Sequence, residues 1–220
     1  MKLQKETKLH GRWYDDACGT AFALELLGER WSLLVVRELM LGPRRFSDLR
    51  TSLPGVSAKV LTERLATLAE TGVLRRYKLP PPAASQVYEL TEWGYSAETI
   101  IQELGRWAAT SPLHDPTLPL SAVSFMISLR TMIDRKRAGQ WSATFGFRIS
   151  EESFVARLAD GEIPIERGEP DCADSVFIAN QAPQLAAVFY GKQPADAVGT
   201  TIQGDAKVAE RFVDLFHLPR

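Results

Sequence analysis

The sequence predicts an α+β protein of two domains, and three observations predict it. Apolar residues fall at helical spacing in successive blocks from Cys18 to Glu70. The period then shortens to two over "VLRRYKL" (73–79) and "SQVYELT" (85–91), which read as paired strands. Beyond "SPLHDPTLP" (111–119), with three prolines in nine residues, helical and alternating stretches succeed one another again. That segment reads as a linker between a domain of helices with one hairpin (1–110) and a small α/β domain, a mixed sheet packed on helices (120–220).

Residues 1–12 are polar and charged and read as a loose arm. "CGTAFALELL" (18–27) is a first helix that stops near Gly28. "ERWSLLVVRELMLG" (29–42) is a second, with Trp31, Leu34, Val35, Leu39 and Leu41 inward, ended by Gly42-Pro43. "RRFSDLRTSLPG" (44–55) is a short third helix with Phe46, Leu49 and Leu53 on one side. In "VSAKVLTERLATLAETGVLRR" (56–76), Val60, Leu61, Leu65, Leu68 and Ala69 form the buried face of a fourth. Ser57 can cap its start and Gly72 can take the left-handed conformation that ends it. "PPPAA" then stiffens a hairpin tip where no ladder amide is needed. "TEWGYSAETIIQELGRWAAT" (91–110) closes the domain as one helix capped by Thr91, with Ile100, Ile101, Leu104 and Trp107 as its apolar stripe.

Helix, helix, short helix, helix, two-stranded hairpin, helix is the order of a winged helix-turn-helix. The motifs Cys18 with "ALELLGERWSLLVVREL", "GPRRFSDLR", "LPGVSAKVLTERLATLAETGVLRR" and "VYELTEWG" resemble, in this order and spacing, the HxlR-type family of bacterial transcription regulators. The resemblance covers roughly residues 15–109. The wing departs from the family pattern, since "KLPPPAASQ" is longer and more apolar at its tip. The resemblance implies a transcription regulator with double-stranded DNA as partner and a homodimer, and two cysteines far apart with no cluster read as free thiols of a cytoplasmic protein.

On that reading the helix from Ser57 to Glu70 is the recognition helix. Its outer face is small and polar at the amino end, where a merely solvated face carries dense charge. Ser57, Lys59, Thr62 and Glu63 are expected to reach a major groove about 12 Å wide, with Arg64 at the border of the apolar stripe. Arg44, Arg45 and Ser47, and Arg75, Arg76 and Lys78 in the wing, are expected on phosphates, which position the protein without reading sequence. The charge distribution agrees. Residues 30–78 hold ten Lys or Arg against four Asp or Glu, in a chain whose net charge is −1. For dimerisation the sequence offers the stripe of 91–110 with Trp107, and Trp13, Tyr14 and Phe22 near the amino end.

In the second domain, "SAVSFMISLRTMIDRKR" (121–137) reads as a helix with a basic end, and "WSATFGFRIS" (141–150), "ESFVARLADGEIPIERG" (152–168) and "SVFIANQ" (175–181) as strands, turning at Asp160-Gly161. A short helix ends at Gly191, "AVGTTIQGD" is a strand, and "AKVAERFVDLFHL" (206–218) is a terminal helix capped by Asp205. The stretch "QLAAVFYGKQPADAVGTTIQGDAKVAERFVDLF" resembles the end of the sterol-carrier-protein-like fold. That resemblance implies an apolar tunnel for an acyl-type small molecule, with Phe125, Met126, Phe154, Phe177, Phe189, Phe212 and Phe216 as its candidate lining. The plain alternative is that these residues are core.

No nucleophile elbow, zinc-protease motif, phosphate loop or dinucleotide fingerprint is present, which points away from an enzyme and from a bound cofactor. The three histidines, His10, His114 and His217, form no ligand cluster with Cys18 and Cys172, so no metal site is expected. No apolar run long enough for a membrane span and no secretory leader is read. Cys18 is the one redox candidate, because a helix amino terminus favours its thiolate. Three readings follow: a regulator modulated by an apolar ligand, a regulator switched at Cys18, or a lipid carrier that keeps the winged helix only for dimerisation.

Overall fold

The computed structural model describes residues 14–219, so the arm, His10 and Trp13 lie outside the described residues. Contacts divide the chain into two compact units, one running through Leu39 with Pro43–Tyr95, the other Met40–Gly42 with Ser96 onward.

The first unit holds α1 (Gly19–Leu27), α2 (Ser32–Leu39), α3 (Phe46–Ser52), α4 (Ala58–Glu70), β1 (Leu74–Lys78), β2 (Gln86–Leu90) and α5 (Glu92–Tyr95). Helix α2 is central and packs on α1, α3, α4 and β2. Val35, Val36 and Leu39 are buried with Leu49 and with Leu61, Leu65 and Leu68 of α4. The expected caps are present. Ser57 Oγ accepts from the Val60 N–H at 3.2 Å. Gly72 sits at φ +76, and the Val73 N–H reaches back to Leu68 O at 2.9 Å. Strands β1 and β2 pair antiparallel, and Arg44 adds a backbone bridge to Tyr88 beside them.

Three expectations in this region are corrected. Helix α2 begins at Ser32 because Trp31 takes φ +81, and Leu34 is exposed while Val36 and Glu38 turn inward. Glu38 is fully buried beside Arg37, at 2.8 Å, so a charged residue held a core position that apolar patterning overlooks. Ala69 is exposed rather than part of the buried face of α4. The expected helix 91–110 is two helices, α5 and α6 (Glu98–Ala109). A Cβ at Gly94 would stand 2.1 Å from Val73 O, so α5 is pressed onto the backbone that leads into β1. Contacts group helix α6 with α7 (Ala122–Met132) in the second unit.

The second unit continues, past the exposed segment 111–119, with α7, α8 (Arg135–Ala138), β3 (Ala143–Ile149), β4 (Glu152–Leu158), β5 (Ile165–Arg167), β6 (Ser175–Ala179), α9 (Ala182–Phe189), β7 (Thr201–Gly204) and α10 (Ala206–Val213). The sheet order is β5-β4-β3-β6-β7, with β3 and β6 parallel and the other neighbours antiparallel. Phe147 is registered against Phe154 on one side and Phe177 on the other. Alternation therefore places Phe145, Phe147, Phe154 and Phe177 on one face, which receives the helices, and Thr144, Gly146 and Arg148 on the other. Asp205 caps α10 by accepting from the N–H groups of Lys207 and Val208.

Here too an expected element divides. The helix 121–137 breaks at Ile133, which turns extended (ψ 132) and bridges to Phe216. Asp134 then caps α8, accepting from the Arg137 N–H at 3.0 Å. Strands β4 and β5 turn where expected, at Asp160 and Gly161, both at positive φ. The last helix ends at Val213 instead of 218, and Phe216 remains fully buried beyond it. Lys192 closes that end, its Nζ donating to Val213 O at 2.6 Å and Phe216 O at 2.8 Å. No helix among the described residues is long and apolar enough to cross a membrane.

Candidate nucleic-acid interface

Because Leu61, Leu65 and Leu68 are committed to the core, the 3.6-residue period leaves Ser57, Lys59, Thr62, Glu63 and Ala66 exposed together on α4. Thr62 has its hydroxyl bonded back to Ala58 O at 2.9 Å, which leaves its methyl and lone pairs for other contacts. Lys59 and Glu63, four residues apart, put a donor and an acceptor on the same stripe. Arg64 differs from what the sequence suggests. Its side chain is largely covered and its Nη2 pairs with Glu29 Oε2 at 3.2 Å.

The flanking basic residues also sort into two groups. Arg45 and Ser47 are exposed at the start of α3, the Ser47 hydroxyl donating to Asp48 Oδ1 at 3.1 Å. Arg44 is buried: its backbone is bridged to Tyr88 and its Nη2 donates to Ser52 Oγ at 3.1 Å. It holds the wing to α3 instead of facing a phosphate. In the wing, antiparallel register puts Arg75 opposite Glu89 and Arg76 opposite Tyr88, so the two arginines occupy opposite faces. Arg75 is bound to Glu89 through Nε at 2.9 Å and Nη2 at 2.6 Å, which holds its guanidinium still more firmly protonated. Arg76 and Lys78 share the other face and are exposed. Arg50 on α3, which the sequence reading passed over, is likewise exposed and has no side-chain partner among the described residues. Its position one residue after the buried Leu49 is the signal that was available.

Cys18 precedes α1 and is exposed. The backbone N–H groups of Thr20 and then Ala21, at the open first turn, hold its thiol below the ordinary thiol range. Its own N–H is taken by Asp16 Oδ1 at 2.9 Å.

The residues expected to line a tunnel are all fully buried. Six of the seven are rings, and five of those contact one another. Phe125 and Phe189 lie 5.5 Å apart edge to face, Phe177 and Phe189 5.0 Å, Phe189 and Phe216 5.3 Å, and Phe212 and Phe216 4.9 Å. Phe154 is covered instead by the Arg167 guanidinium at 4.9 Å. These rings fill one another's space, which is what a core does.

The order of elements in the first unit is that of helix-turn-helix transcription regulators, and comparison with known proteins places the chain more narrowly. Residues 26–114 match the HxlR-like helix-turn-helix family. The HTH-type transcriptional regulator YodB of Bacillus subtilis is 38% identical over 86 residues, 39% of this chain and 77% of that protein. YvaP of the same organism, also an HTH-type transcriptional regulator, is 37% identical over 86 residues, 39% of this chain and 80% of that protein. The solved reduced form of YodB is 34% identical, covering 46% of this chain and all of that one, with a TM-score of 0.41. The chain belongs to the HxlR-like helix-turn-helix family.

Proposed function

We propose that this protein is a DNA-binding transcription regulator that acts as a homodimer, with α4 as the element that enters the major groove. The observation that carries this reading is the exposed Ser57–Lys59–Thr62–Glu63 stripe, flanked by Arg45, Arg76 and Lys78. Lys59 and the N-terminal end of α4 supply donors, and Glu63 an acceptor that suits the amino group of cytosine. Dimerisation is supported by exposed apolar side chains: Ile100, Leu104 and Trp107 on α6, and Tyr14 and Leu24 at and before α1. Two copies would set recognition helices ~34 Å apart, one turn of DNA.

The test is binding to a duplex selected from a random library, measured across a salt series. The reading expects a dimer on the duplex and a loss of ~10³-fold or more between 50 and 200 mM salt. Binding without sequence preference, or insensitive to salt, removes it.

A second reading rests on the place of Cys18, exposed at the amino terminus of α1 where the first-turn amides favour its thiolate, which supports a redox-switched regulator. Loss of DNA affinity on mild oxidation, absent in Cys18→Ser, is its signature. For the second unit, the mixed sheet with helices on one face supports a sterol-carrier-like architecture. An apolar or acyl effector, or a carrier role, would require rings already in contact to part. Native mass spectrometry of the purified protein tests this directly, since extra mass lost on denaturation would reveal such a ligand.

A further inference from the structure

We infer that a polar cleft in the second unit is a binding site for a small zwitterion, a molecule carrying one carboxylate and one ammonium group. The cleft is open, encloses about 430 Å³, and is lined by Glu98 and Gln102 of α6, Arg130 of α7, Arg135 of α8, and Glu162, Ile163 and Pro164 between β4 and β5. Its two arginines and two carboxylates balance, so a singly charged ligand gains nothing from the net field, whereas a ligand with both signs can meet both.

The bonding already present leaves one group of each sign available. Glu98 Oε1 accepts from Arg130 Nη1 at 2.7 Å and from Gln102 Nε2 at 2.9 Å, while Oε2 has no partner among the described residues. That oxygen is an acceptor for an ammonium. Arg130 is fixed between Glu98 and Ile165 O, and so holds the carboxylate in place. Arg135 pairs with Glu162 through Nη1, and Glu162 is its one ion-pair partner among the described residues. Both members of that pair are about half exposed or more, so the pair is weak and yields easily to a bidentate carboxylate. Ile163 and Pro164 supply the short apolar wall that a small side chain would meet. The cleft thus brings an acceptor from Glu98 and donors from Arg135 to one lining, and a few placed polar groups of this kind fix a small ligand's orientation.

The site stands on the cleft alone and not on the proposed DNA binding, and its test is made on the full-length protein without DNA. Isothermal titration uses glycine, L-alanine, L-serine, β-alanine and γ-aminobutyrate as probes, with acetate and ethylamine as single-charge controls. The expectation is saturable binding of at least one zwitterion, with neither control binding. Arg135→Met and Glu98→Gln should each weaken it by about tenfold or more. Glutamine keeps the acceptor for Arg130, so a loss in Glu98→Gln reports the missing charge, and circular dichroism checks that both variants fold. No saturation by any zwitterion up to about 10 mM, or binding that both variants leave unchanged, overturns the assignment.

Discussion

Arg64 Nη2 lies 3.2 Å from Glu29 Oε2, and this ion pair takes a cation off the exposed stripe of α4. Position 64 follows Leu61 by three residues, so its side chain leaves the helix beside the buried leucines and is largely covered. Arg64→Met should lower stability by about 1 kcal/mol or less, since Glu29 is itself well exposed. Its effect on DNA affinity should be much smaller than that of Lys59→Met. Equilibrium binding of the two variants to one selected duplex decides the matter; equal losses would put Arg64 back in the interface.

The two wing arginines should differ in the same way. Arg75 is spent on Glu89, and Arg76 on the opposite face has no such partner among the described residues. Arg76→Ala should weaken binding to all sequences alike and reduce the salt slope by about 1, the signature of one lost phosphate contact. Arg75→Ala should leave that slope unchanged. A reduced slope in Arg75→Ala would mean that the Glu89 pair opens on DNA.

Gly94 is a position where a methyl group is not tolerated. Its Cβ would stand 2.1 Å from Val73 O and 3.2 Å from the Leu90 Cβ, and the first of these is backbone that cannot swing aside. Gly94→Ala should cost about 1–3 kcal/mol or more by overpacking, read as a lowered midpoint in urea. Gly105 of α6 has nothing within reach of an added Cβ, so Gly105→Ala is the control and should be neutral or slightly stabilising.

What the sequence made legible was the local chemistry. Ser57, Gly72 and Asp205 cap or end the elements expected of them, and Thr91 caps α5, the first piece of its expected helix, because a cap is decided within four residues. What it hid depends on partners far along the chain. Ile133 breaks a helix in order to pair with Phe216, and Arg44 is drawn under Tyr88. Arg64 finds Glu29, and Arg75 finds Glu89, across gaps that no periodicity reports. Of the candidate interface, the face of α4 was readable from its period. Which flanking cations remain available was not, since charge alone does not say whether it is already paired.

The phenylalanines of the second unit offer a measurement that separates core from tunnel. Phe177 lies 5.4 Å from Phe147 and 5.0 Å from Phe189, and all three are fully buried. If these rings are core, Phe177→Ala removes contacts on several sides and costs about 3–5 kcal/mol in chemical denaturation. A cost below about 1 kcal/mol would instead mean that the ring borders space already open to a ligand.

The thiol of Cys18 carries the last prediction, and its sign follows from the helix it precedes. The amides of Thr20 and Ala21 favour the thiolate over the thiol, and the side chain is exposed, so a reagent reaches it freely. Since only the thiolate reacts, alkylation by iodoacetamide in a Cys172→Ser background should rise with pH and level off early. The inflection is expected below the value of about 8.5 for a free cysteine. Thr20→Pro deletes the first of the two amides within the first turn of α1, where the N–H has no intrahelical partner, and should move the inflection back up. An inflection at the free-cysteine value in the parent protein would mean that the thiol does not meet these amides in solution, and would take with it the redox reading.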